Sequence, residues 1–203
     1  MMEKTNTKIE KSILGPNKKL NDTGRIFLQE IMEGKNLDLE KQSTSVLFDF
    51  LGGDFDQIKH DIAVVDFLGK KIVVHKYLKE VLEKIQNEVR SDPKAKRYKI
   101  KSVGGYNPRK VRDYKDTQYS GQISAHSLGL AIDINPKENG FLPYKTSGRN
   151  CKIPKVFVDI MKKNGFIWGG DWQTPYDPMH FEFSILNKLL YQKLLYDVKH
   201  NKK

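Results

Sequence analysis

The chain has 203 residues, enough for one domain with a sizeable core and a short extension. Its 36 Lys and Arg outnumber 25 Asp and Glu for a net charge of +11, so attraction to polyanions is expected. A single cysteine, Cys151, excludes an internal disulfide framework and a multi-cysteine metal site, and reads as a small, partly buried residue.

The N-terminus, Met1-Met2-Glu3-Lys4-Thr5-Asn6, has no apolar core of the kind a signal peptide carries. No stretch approaches the roughly 18 apolar residues of a membrane span. Residues 1–20 are polar and lysine-rich and are expected to be loose. Two short apolar-periodic pieces follow: Phe27, Leu28, Ile31 and Met32, then Val46, Leu47, Phe50 and Leu51, closed by Gly52-Gly53. Residues 1–60 therefore read as an N-terminal extension, loose and then helical, ahead of a main domain over 61–203.

Val64 to Gly69 and Lys71 to His75 predict a β-hairpin around Gly69. Apolar residues at 78, 81, 82, 85 and 89 predict a helix, ended by Ser91-Asp92-Pro93. Tyr98 to Val103 is strand-like, and Gly104-Gly105 opens a loop running to Gln122 that carries Arg109 and Arg112. Pro136 to Arg149 reads as a polar loop. Pro154 starts a helix with Val156, Phe157, Ile160 and Met161 on its buried side and Gly165 as its terminator. Trp168 and Trp172 flank Gly169-Gly170 and suit either the core or a substrate groove. The tail from Leu186 to Val198 has leucines at 186, 189, 190 and 194 on one helical face, which core packing explains better than a membrane.

Two stretches carry chemistry. Leu130-Ala131-Ile132-Asp133-Ile134 alternates like a strand, with Ala131 and Asp133 on one face. A carboxylate in such a strand costs several kcal/mol unless it is compensated, and a metal would compensate it. His126 lies at an odd offset, so a straight strand would turn it away; Gly129 is where the chain can bend to bring it round. Further on, Asp177-Pro178-Met179-His180 favours a type I turn, which sets a carboxylate beside a histidine. His180-Phe181-Glu182-Phe183 then alternates, with His180 and Glu182 sharing a face. Two histidines and one carboxylate form a common ligand set for catalytic zinc, with three carboxylates available here to choose from. His60, His75 and His200 have no partner motif and read as structural or exposed.

Ser-x-His-x-x-Gly-x-Ala-x-Asp over 124–133, then Asp-x-x-His over 177–180, resembles peptidase family M15 of peptidoglycan peptidases. Its members include D-alanyl-D-alanine carboxypeptidases and phage endolysins that cut L-alanyl-D-glutamate bonds. Residues 165–183 are also similar to that family's C-terminal signature, and the likeness spans roughly residues 64–185. The resemblance implies an α+β fold, a small antiparallel sheet flanked by helices, of the D-Ala-D-Ala carboxypeptidase and hedgehog type. It implies His126, Asp133 and His180 as Zn²⁺ ligands, Asp177 as general base, and Arg109 as the loop arginine that faces substrate. Asp177 stands where carboxypeptidase members often have Glu, which leans toward the endolysin-like branch.

The expected partners are peptidoglycan peptide stems, with anionic cell-wall polymers matching the positive charge. Nucleic acid is not the expected partner, since only charge speaks for it. A monomer is expected, made in the cytoplasm and acting at the cell wall after release. A D-alanyl-D-alanine carboxypeptidase, or a non-catalytic wall-binding relative that keeps its zinc, remains an alternative to the endopeptidase.

Overall fold

The computed structural model describes residue 48 and residues 55–109, 123–143 and 151–183. Contacts divide the chain into two compact units, Asp61–Ser184 and a second made of Met1–His60 with Ile185–Lys203. In the second, Phe48 is buried and α1 spans Phe55–Lys59; the Phe48 and Phe55 rings lie 4.8 Å apart. The α1 helix is an addition to the elements expected. The apolar pieces at 27–32 and the helical tail at 186–198 lie outside the described residues, as does Arg112.

In the unit Asp61–Ser184, β1 (Ile62–Phe67) and β2 (Lys70–His75) form the expected hairpin, with Phe67 opposite Lys70. Its two-residue loop, Leu68-Gly69, has positive φ at both positions, 52° and 80°, the geometry whose twist matches the strands it joins. The helix α2, Leu78–Ser91, buries Leu78, Leu82, Ile85 and Val89, the spacing read from sequence except that Val81 is only half-buried. Asp92 ends it, and its carboxylate accepts the backbone N–H groups of Lys94 and Ala95 at 2.8 and 2.7 Å.

The strand expected over Tyr98–Val103 shrinks to β3, Val103–Gly104. The reason lies in one side chain. Asn135 Oδ1 accepts the backbone N–H groups of Lys101 and Ser102, at 2.7 and 3.1 Å, so those groups have no need of a ladder. Asn135 itself has φ +47°, a conformation its short polar side chain tolerates.

Beyond it lie β4 (Ala131–Ile134), α3 (Lys155–Lys163), β5 (Phe166–Trp168) and β6 (His180–Phe183). The fold is α+β with two sheets where one was expected: the hairpin, and a four-stranded antiparallel sheet in the order β3-β4-β6-β5. In α3 the buried residues are Phe157, Val158 and Met161; Val156 and Ile160, expected inside, are half-buried. This helix packs on β5 and α2, and Phe157, Phe181, Leu82, Ile85 and Ile132 are fully buried around it.

Gly129 is the joint between the sheets. With φ +65° it ends a 3₁₀ turn, Ala125–Leu128, and its carbonyl accepts the His75 N–H at 2.8 Å. A Cβ there would lie 2.5 Å from His75 N and 3.0 Å from the Val74 carbonyl carbon, both backbone atoms that cannot swing aside. Gly129→Ala should therefore cost more than the ~1–2 kcal/mol of a left-handed conformation alone. Thermal unfolding should show a Tm several degrees below wild type; an unchanged Tm would mean that the hairpin does not dock on this joint.

Candidate metal centre

The three side chains singled out from sequence reach one point from three different supports. His126 sits on the 3₁₀ turn, not on the strand, which is how the odd offset to Asp133 is resolved. Ser124 Oγ caps that turn by accepting the His126 N–H at 3.4 Å, and the His126 carbonyl accepts from Gly129 and Asn107, each at 3.0 Å. Asp133 projects from β4, and the sheet register sets it directly opposite His180 on β6 and beside Gly104 on β3. The turn before β6 closes through His180 N–H to the Asp177 carbonyl at 3.0 Å, as Asp-Pro predicts.

His126 Nε2 lies 3.2 Å and His180 Nδ1 lies 3.3 Å from the same carboxylate oxygen, Asp133 Oδ1. One ligand atom from each of the three residues lies within 4.8 Å of the other two. His126 and His180 are buried, at 3% and 8% exposure.

Each imidazole is held from behind. His126 Nδ1 is 2.8 Å from the Gly105 carbonyl, which can only accept, so Nδ1 carries a hydrogen and Nε2 is the nitrogen left to face the centre. Nε2 is accordingly a buried nitrogen without a hydrogen bond, despite its 3.2 Å approach to Asp133. His180 Nε2 faces Glu182 Oε2 at 3.4 Å, which leaves Nδ1 for the centre. A buried inward nitrogen with no hydrogen bond, beside a carboxylate and a second imidazole, is a donor set that could hold a metal ion. The Gly105 carbonyl was not anticipated, although the Gly104-Gly105 pair was its visible signal.

Burial works against ionising Asp133, but the close approach of His126 and His180 outweighs it and holds the carboxyl far below its usual range. Burial likewise disfavours charge on His180, yet hydrogen bonds to Asp133 and Glu182 push it up from 6.5 to about 10. Asp177 behaves oppositely. Burial, joined by the charge on Asp133, raises it to about 6, against the lowering pull of His180, His126 and Arg109. Its Oδ1 is buried without a hydrogen-bond partner.

Arg109 enters through backbone as well as charge. Ser127, next to His126, accepts the Arg109 N–H at 2.7 Å and donates its hydroxyl to the Arg109 carbonyl. The arginine is thus tied to the histidine turn, and its charge is felt at Asp177. Trp172 stands with its ring 5.4 Å from the His180 ring. Among the remaining histidines, His75 is buried and accepts the Tyr77 N–H at 3.3 Å, and His60 is exposed. Cys151 is half-buried and is raised by that burial, as a structural thiol should be.

Residues 117–183 match a family model described as D-alanyl-D-alanine carboxypeptidase, and the match supports peptidase family M15. The matched segment contains His126, Asp133, Asp177 and His180, and Arg109 precedes it. Neither curated proteins nor solved structures give a match.

Because His180 holds its proton up to about 10, an ion taken up by these atoms near neutral pH must displace that proton, whereas Asp133 is already ionised. The proton on His180 contributes stability that is full below about 6.5 and lost as pH rises toward 10. Ion affinity must run the other way, rising with pH over that window. Calorimetric titration of the metal-free protein with zinc near pH 7.5, in buffers of different ionisation enthalpy, should find about one proton released per ion. Zero release would place the proton elsewhere.

Proposed function

With residues 117–183 carrying the signature of peptidase family M15, we propose that the chain is a zinc-dependent peptidase that hydrolyses peptidoglycan stems at the L-Ala-D-Glu bond, in the manner of an endolysin. His126, Asp133 and His180 are its metal ligands and Asp177 its general base. The zinc-peptidase fold type, action at the cell wall, and an attraction to anionic wall polymers belong to the same reading. The observation that carries it is the convergence of three ligand atoms within 4.8 Å beside a buried carboxylate oxygen without a partner.

A zinc ion held there would polarise the scissile carbonyl and make water a stronger nucleophile. The chain's own residues do the rest. Burial raises Asp177 above an ordinary carboxylate, which suits it to take the proton of the attacking water and return it to the leaving amine. Its partnerless Oδ1 is the acceptor. Arg109 brings a fork of donors suited to a stem-peptide carboxylate or to the developing oxyanion. Glu182 keeps His180 in the orientation that aims Nδ1 at the centre.

A second reading, D-alanyl-D-alanine carboxypeptidase, is favoured by the description of the matching family model. Asp177 in place of the Glu common in that branch argues the other way. Digestion of purified peptidoglycan followed by mass spectrometry separates them. The endopeptidase leaves a new N-terminal D-Glu; release of free D-Ala alone would make the chain a carboxypeptidase, and no cleavage at all would sink both.

The roles of the carboxylates and imidazoles separate by variant. His126→Ala should strip the ion, of which wild type carries about one by metal analysis. Asp177→Asn should keep ion and fold but lose about 10² to 10⁴ in kcat. Full metal content in the first, or near-wild-type turnover in the second, would contradict the assignments.

A further inference from the structure

The mechanism asks a buried carboxylate with a partnerless oxygen to stay in place. Such a group gains by swinging toward water, so something must hold the backbone that carries it. Resting on Asp177 as the base, we infer that Trp168 is a positioning residue, whose indole N–H fixes the Asp177-Pro178 turn so that the Asp177 carboxylate faces the attacking water.

Trp168 is the last residue of β5, paired in register with Phe181 of β6. Its ring stacks on the Phe181 ring, with centroids 6.2 Å apart and planes 23° from parallel. From that platform Nε1 donates to the Pro178 carbonyl at 2.8 Å. The orientation is enforced from the other side by Gly170, where a Cβ would fall 2.2 to 2.5 Å from three atoms of the indole ring. An indole nitrogen can only donate, and this one has its acceptor within the turn itself.

The turn is held at successive backbone groups. The Asp177 N–H donates to the Gly169 carbonyl at 3.0 Å, Trp168 takes the Pro178 carbonyl, and the Met179 carbonyl accepts from Ile134 on β4 at 2.9 Å. The first and last bonds are backbone to backbone and survive any side-chain change. The indole bond is the side-chain member of the set, and it grips the Pro178–Met179 peptide at the centre of the turn that carries the base. Without it that central peptide can rotate and the turn that sets the Asp177 carboxylate loosens with it, whereas His180, bonded through β6, need not move.

The test is a double-mutant cycle in steady-state cleavage of peptidoglycan fragments. Trp168→Phe retains an aromatic ring on Phe181 and removes the N–H. It should lower kcat roughly tenfold with KM and zinc content near wild type, since misplacing a catalytic group slows the step it serves. Trp168→His, which can restore a ring N–H, should recover part of the loss. In an Asp177→Asn background, Trp168→Phe should change kcat less than about twofold, because the group it positions is already disabled. An equal fold-loss in both backgrounds, or loss of zinc in Trp168→Phe, would overturn the inference and make Trp168 a structural residue. Turnover by Asp177→Asn near the wild-type rate would instead overturn the assignment of the base. Should the Trp168 variants fail to fold, the wild-type protein still decides: the Trp168 indole N–H should exchange far more slowly in ¹⁵N-labelled protein than a solvent-exposed indole, and rapid exchange would show that the bond does not hold the turn.

Discussion

The unit Asp61–Ser184 is arranged around one interaction, the Asp133 carboxylate held between two imidazoles. A charged group in a strand whose neighbours Ile132 and Ile134 are fully buried is tolerated only if its surroundings return what water would have given. His180 is delivered by the sheet, because the β4–β6 register sets it opposite Asp133. His126 is delivered by a 3₁₀ turn that ends at Gly129 and is pinned to the hairpin through the His75 N–H. The register is in turn fixed by packing. A slip of one residue would carry Ile132 and Phe181 out of the core and Asp133 away from both histidines. The hydrophobic interior and the polar centre are thus two faces of the same strand pairing.

Much of this was legible where local chemistry decides the backbone. The alternation over Leu130–Ile134 and the Asp-Pro turn at 177–180 both formed as their residue types require, and so did the hairpin and the 78–91 helix. What could not be read is contact between distant segments. Tyr98–Ser102 has strand-forming residues, yet Asn135 takes two of its N–H groups, and nothing in the local sequence announces that bond. The His126 route was legible only as a need, an odd offset with a glycine nearby, and the 3₁₀ turn that meets it depends on docking against β2. The Gly105 carbonyl behind His126 was invisible for the same reason, since any residue has a carbonyl and only the fold aims it.

The two histidines are not equivalent, and the difference comes from what stands behind each. A carbonyl behind His126 fixes which nitrogen carries hydrogen while adding no charge. A carboxylate behind His180 does the same and also makes the ring more basic, so His180, flanked by Asp133 and Glu182, is the proton store of the centre. In the metal-free chain the cluster is therefore compensated by a proton.

This proton also bears on Asp177, the base of the proposed mechanism. Asp177 is raised to about 6 by burial and by the Asp133 charge, with His180 pulling the other way. A divalent ion held there in exchange for the single proton on His180 would add one positive charge to the cluster. It would screen Asp133, one of the groups that lifts Asp177, and bring new charge close to that carboxylate. Both effects would lower Asp177 from its metal-free value and favour the ionised form that the proposed base needs. The carboxyl remains able to accept a proton because burial still opposes its charge, and Arg109, tied to the histidine turn through Ser127, supplies the positive neighbour that keeps that opposition from going too far. A carboxylate set between desolvation on one side and cationic neighbours on the other is suited to the part proposed for it, taking a proton from water and releasing it to an amine.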